Sequence, residues 1–117
     1  MITMSTLQWI DVCALADLAV DRGVCAAIDG DQIAIFRVSG CSELYAISNI
    51  DPFSGVAVLA RGLVGDADGA PKVASPLYKQ TFDLRTGRCL EDSAVAVRTF
   101  SVRLRADRVE VARPVSL

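Results

Sequence analysis

Ser75-Pro76-Leu77-Tyr78-Lys79-Gln80-Thr81-Phe82-Asp83-Leu84-Arg85-Thr86-Gly87 holds one short strand between two turns. Pro76 fixes its own φ and donates no hydrogen bond, so the first four residues read as a loop. Thr81-Phe82-Asp83-Leu84 joins a β-branched and an aromatic residue in a run that reads as a strand. Thr86-Gly87 then supplies a turn, since glycine takes positive φ without steric cost. Lys72-Val73-Ala74-Ser75 reads as a strand before the loop, and Arg88-Cys89-Leu90 as a short return strand after the turn.

The same alternation of short strands and turn residues extends to both ends. Upstream, Trp9-Ile10-Asp11-Val12-Cys13 alternates at period two. Residues 17–23 read as a loop, and residues 24–28 and 32–38 as two strands joined by Asp29-Gly30, a pair suited to a type I′ hairpin. Residues 44–48 form the next strand. Residues 49–71 are rich in turn formers (Pro52, Gly55, Gly62, Gly65, Gly69, Pro71) and read as loops flanking a brief strand or helical turn near residues 56–60. Asp66-Ala67-Asp68-Gly69 lacks the full spacing of a calcium loop and reads as a surface turn. Downstream, residues 96–105 alternate at period two with a break near Phe100, where a bulge or bend is expected. Ala106-Asp107 is the last hairpin turn, residues 108–111 the last strand, and residues 113–117 a fraying tail. No 12-residue segment carries a 3.6-residue apolar stripe, so the chain is mainly β, a small sandwich or barrel in one domain of 117 residues.

Composition removes several functions. Hydrophobic residues make up 52% and charged residues 22%, which supports a packed core rather than a disordered chain. A net charge of −2 with scattered basic residues gives no footprint for nucleic acid or anionic membrane. No secretory leader or membrane-length apolar run is visible, so the expected location is the cytoplasm. Cys13, Cys25, Cys41 and Cys89 form no C-x-x-C pair, and free thiols are expected. Histidine is absent altogether, which removes Ser-His-Asp and Cys-His catalysis, histidine-ligated zinc and a true Rieske centre, where two histidines hold one iron.

Phe82-Asp83-Leu84-Arg85-Thr86-Gly87 resembles the segment that follows the second ligand loop of Rieske-type ferredoxin domains. Tyr45-Ala46-Ile47-Ser48-Asn49-Ile50-Asp51-Pro52-Phe53-Ser54-Gly55 resembles their strand and first ligand loop. In this alignment Asp51 and Phe53 stand where the first Cys and His belong, and Ser75 and Tyr78 where the second Cys and His belong. Pro52 and Pro76 keep the loop shape while all four ligands are replaced. Such a ligand-free scaffold is similar to the small subunit of siroheme-type NAD(P)H nitrite reductases. That family shares the runs present here at residues 50–53 (I-D-P-F), 61–63 (R-G-L), 74–80 (A-S-P-L-x-K-Q) and 89–92 (C-x-E-D). The resemblance covers residues 7–112.

The resemblance implies a Rieske-like sandwich or barrel, with a loop-rich subdomain where the cluster would sit. It implies a non-catalytic subunit in the reduction of nitrite to ammonium for nitrogen assimilation. FAD, siroheme and an iron–sulfur cluster are then expected on the large subunit, and no cofactor, metal or catalytic residue on this chain. The expected docking residues are Pro52, Phe53, Ser54, Pro76, Leu77, Tyr78 and Lys79. A Phe53–Tyr78 ring pair would clamp the two loops, with Asp51 and Ser75 bonded to loop amides. Two alternatives stay open at this stage: a cluster-free binding module with another partner, and a Rieske-type electron carrier.

Overall fold

The structure, a computed structural model, describes residues 6–41, 43–67, 69–77 and 79–115. In chain order its strands are β1 (Thr6–Ala14), β2 (Arg22–Ile28), β3 (Asp31–Arg37), β4 (Leu44–Ser48) and β5 (Leu63–Ala67). They continue with β6 (Ala70–Ala74), β7 (Thr81–Asp83), β8 (Thr99–Phe100), β9 (Val102–Arg105) and β10 (Arg108–Val115). Three antiparallel sheets result, ordered β1-β10-β9, β2-β3-β4-β8 and β5-β6-β7. The helical content among the described residues is two 3₁₀ turns, Leu15–Asp17 and Leu59–Arg61. The mainly β expectation therefore holds.

Both expected hairpins form with the backbone their turn type demands. Asp29 and Gly30 sit at φ 51° and 82°, and Ala106 and Asp107 at 50° and 64°. Positive φ at both central residues gives the twist that suits the flanking strands. The break expected near Phe100 falls at Ser101. There the chain leaves β4, which pairs with β8, and crosses to β10, which pairs with β9. One sequence run thus serves two sheets and joins them at a corner.

Several boundaries differ from the sequence expectation. The first strand extends to Thr6–Ala14 because it pairs with β10 from Thr6↔Val115 to Ala14↔Arg108, with a bulge at Val12. β10 correspondingly continues to Val115, through residues expected to fray; Arg113 donates to Gln8 Oε1 at 2.8 Å. Residues 88–90 make only isolated bridges, Phe82↔Cys89 and Arg88↔Ala96, rather than a strand. β2 begins at Arg22, earlier than expected, since Arg22 and Gly23 still have partners on β3, Arg37 and Phe36.

The core has two compartments that share β3. Ile33 and Ile35 face Leu18, Ala46, Val109 and Val111 between the two larger sheets. Ala34 and Phe36, on the opposite face, pack with Ile47, Leu59, Val73, Phe82 and Leu84 beneath the β5-β6-β7 subdomain. Residues 33–36 are all buried, as a strand covered on both sides requires. The 3₁₀ turn at Leu59–Arg61 docks on this strand pair because Gly23 leaves room: a Cβ there would lie 2.5 Å from the Ala60 carbonyl oxygen. Gly62, in the R-G-L run, lies likewise against the Ala74 carbonyl and the Val73 side chain.

Candidate functional site

Two loops carry the aligned ligand positions, with Asp51 and Ser75 at their bases. The first leaves β4 through Asn49, a buried side chain whose Oδ1 accepts the Ala60 N–H at 2.6 Å. The Asn49 carbonyl accepts the N–H groups of Val58 and Leu59, each at 3.0 Å. Asn49 thereby ties the loop entry to the 3₁₀ turn beyond it. Within the loop, Asp51 N–H donates to the Val56 carbonyl at 2.9 Å and Gly55 N–H to the Asp51 carbonyl at 2.7 Å. Ser54 Oγ accepts the Val56 N–H at 3.1 Å, a local bond that polar loop side chains favour.

The second loop closes on Ser75. Ser75 N–H donates to the Gln80 carbonyl at 2.8 Å, and Lys79 N–H, from φ 63°, to the Ser75 carbonyl at 3.1 Å. Glu91 holds the exit of this loop: its carboxylate accepts the Thr81 N–H at 2.7 Å and the Thr81 hydroxyl at 2.5 Å. Those two bonds hold the Glu91 carboxyl below its ordinary range against the opposing pull of burial. The C-x-E-D run thereby acquires a role that its sequence alone does not disclose: Glu91 fastens the second loop to β7.

Among the described residues, one direct bond joins the loops. Ser75 Oγ donates to Asp51 Oδ2 at 2.5 Å, and both residues are buried, at 1% and 0% exposure. The other Asp51 oxygen accepts the Phe53 N–H at 2.8 Å, and Ser75 Oγ accepts the Leu77 N–H at 3.3 Å. The two positions aligned with cluster cysteines thus bond to each other and to their own loops' amides. Phe53 turns its ring to Phe82, with centroids 6.3 Å apart and planes tilted by 45°. Tyr78, the expected partner of Phe53, lies outside the described residues.

The donors at these bases do not fit a [2Fe–2S] cluster. Such a cluster takes thiolates, or imidazoles at the Rieske iron, whereas the described positions offer a carboxylate, a hydroxyl and a phenyl ring. The carboxylate and hydroxyl, moreover, are already committed to each other. The loop surface is apolar. Of eight exposed large apolar side chains among the described residues, six (Ile50, Phe53, Val56, Leu63, Leu77 and Leu90) belong to the loops or flank the subdomain that bears them. Pro52, Pro76 and Lys79 are exposed beside them.

The Phe82–Gly87 turn stands behind the second loop. Asp83 accepts the Arg85 backbone N–H at 2.8 Å and pairs with the guanidinium at 3.1 Å. Burial raises the Asp83 carboxyl, yet the hydrogen bonds from the Arg85 side chain and backbone outweigh it and hold it below its usual value. Gly87, at φ 78°, donates to the Asp83 carbonyl at 2.7 Å and lies against the Val97 carbonyl.

Comparison with known proteins agrees with this geometry. The family model of the Rieske-like [2Fe-2S] domain matches residues 8–112. The NADH nitrite reductase small subunit of Escherichia coli K12 is 42% identical over 104 residues, which covers 89% of this chain and 96% of the relative. The solution structure of the Erwinia carotovora nitrite reductase [NAD(P)H] small subunit superposes with a TM-score of 0.74 at 44% identity, covering 88% of this chain and 79% of that one. A nitrite reductase [NAD(P)H] large subunit of Klebsiella oxytoca contains a stretch 41% identical over 103 residues, 88% of this chain but 11% of that much longer polypeptide.

Proposed function

Because this chain belongs to the Rieske-like family, and within it to the nitrite reductase small subunits, we propose that it serves NAD(P)H-dependent nitrite reduction as a non-catalytic subunit docked on the large subunit. The observation that carries this reading is similarity along almost the whole chain to small subunits, and to a segment of a large subunit. The reaction takes six electrons from reduced nicotinamide to turn nitrite into ammonium, in the cytoplasm. FAD, siroheme and the iron–sulfur cluster that move those electrons belong to the large subunit in this reading, and this chain binds none of them. Its own contribution is a rigid apolar face. The Asp51–Ser75 bond fixes the two loops, and the loops present Pro52, Phe53, Ser54, Pro76, Leu77 and Lys79 to the large subunit. An apolar centre with a polar rim suits such a contact.

Co-purification of the two subunits, with nitrite-dependent NAD(P)H oxidation, tests the reading. A charge at the apolar centre, Leu77→Asp, is expected to weaken association by ~2 kcal/mol or more, and Lys79→Glu at the rim by less. Full binding by both variants would move the docking face elsewhere. The purified chain should carry no stoichiometric iron by elemental analysis; one iron pair per chain would make it an electron carrier instead.

A further inference from the structure

Two strand edges meet across a cleft of about 710 Å³ on the side of the molecule where β8 gives way to β9. One edge is β4. Its register with β8 covers only Ala46 and Ile47, so among the described residues no strand lies opposite Leu44 and Tyr45 there. The other edge is β9, the outer strand of its sheet. Ser101 creates the opening by carrying the chain off β4 and onto β10.

Strand parity fixes which main-chain groups look into the cleft. Ser48 N–H donates to the Arg98 carbonyl, so Ser48, Ala46 and, two residues earlier, Leu44 direct their polar backbone groups to this side. Ala112 N–H donates to the Ser101 carbonyl, so Ser101, Arg103 and Arg105 bond to β10, while Val102 and Leu104 direct theirs outward. An unpaired edge is a template for another strand unless proline or an obstructing charge blocks it. Neither edge holds a proline. Arg103 is drawn across its own sheet to Glu110, at 2.8 Å, and over the Trp9 ring, at 4.1 Å.

We propose that this cleft takes an extended segment of the nitrite reductase large subunit, added as a strand along β9 or between β9 and β4. The inference rests on the small-subunit reading above. Two observations favour that occupant over a second copy of this chain. Leu84 and Arg85 line one part of the cleft, so it is continuous with the subdomain that bears the docking loops. And in the Klebsiella oxytoca relative a stretch similar to this chain shares its polypeptide with a large subunit, which keeps large-subunit chain within its reach. Main-chain hydrogen bonds along the edge would supply the affinity.

Amide hydrogen exchange of this chain, alone and with the purified large subunit, is the test. Peptides containing Leu44, Val102 and Leu104 should exchange at least ~10-fold more slowly in the complex, as newly bonded amides do. Leu104→Pro removes an N–H that β10 does not use and should weaken association at least ~10-fold, whereas Leu104→Thr, which keeps the N–H, should cost less than ~3-fold. A complex that forms with no protection at these amides overturns the cleft proposal and leaves the small-subunit reading intact. No complex at all overturns that reading. Protection in the isolated chain that grows with its concentration assigns the edge to a second copy and overturns the large-subunit occupant. The exchange measurement uses the natural sequence, so it decides even if Leu104→Pro fails to fold.

Discussion

Burying a carboxylate costs stability unless each oxygen finds a donor. Asp51 meets that condition with the Ser75 hydroxyl on one oxygen and the Phe53 amide on the other. Ser75→Ala should therefore destabilise the fold by ~1–3 kcal/mol, because it strands a buried acceptor as well as removing a bond. A double-mutant cycle with Asp51→Ala, read by urea unfolding, should show coupling of at least ~0.5 kcal/mol; strict additivity would mean the bond does not join the loops. Phe53→Ala is a milder change. The residue is 38% exposed and its ring rests on Phe82, so the loss should be ~1–3 kcal/mol, below the ~3–5 of an enclosed phenylalanine. The sequence allowed Asp51 and Ser75 to be read as partners of loop amides, because short polar side chains bond locally. Their bond to each other spans 24 residues and depends on how the two loops approach in three dimensions, which no local pattern encodes. The contact of Phe53 with Phe82, 29 residues on, is likewise outside any local pattern.

At the scale of elements, the turn after β7 concentrates constraints. Gly87 sits at φ 78° with the Val97 carbonyl against it, so Gly87→Ala meets both a strained backbone and a steric clash. It should cost more than ~1 kcal/mol, where a glycine at an open, ordinary φ would gain from the same change. Asp83 and Glu91 make this region acid-sensitive. Both carboxyls are held below their ordinary values in the fold, so the unfolded chain takes up protons first as the pH falls. Their stabilisation is complete above the ordinary carboxylate range and is lost as the pH drops from ~4.5 through the lower folded values. The urea midpoint of the Asp83→Asn, Glu91→Gln double variant should show a shallower acid fall than that of the natural chain; parallel curves would contradict the assignment. Elements with strong local chemistry were legible: the two type I′ turns, the break at Ser101, and β4, whose bounds agree in full. The ends of β1 and β10 were not. Their length comes from pairing with each other, and Arg113 and Pro114 read alone as a tail.

For the whole molecule, β1 and β10 run antiparallel with Thr6 opposite Val115, so both ends of the described fold leave from one place. A domain with adjacent ends can be joined to another through either. Together with its counterpart inside the Klebsiella oxytoca large subunit, this leads to the expectation of one small subunit per large subunit. Titration followed by sedimentation should saturate at an equimolar ratio, and a fusion of this chain to the large subunit should keep nitrite-dependent NAD(P)H oxidation; saturation at another ratio would refute it. The sharing of β3 by both core compartments has a further consequence. Rieske-type proteins with a cluster have a metal to staple the loop subdomain, and a chain without one risks a subdomain that melts first. Here Ile33 and Ile35 serve one compartment and Ala34 and Phe36 the other, so neither can disorder without uncovering a face of the same strand. Heating should therefore give a single transition, with calorimetric and van't Hoff enthalpies equal. Four consecutive side chains thereby couple the loop-bearing compartment to the rest of the fold.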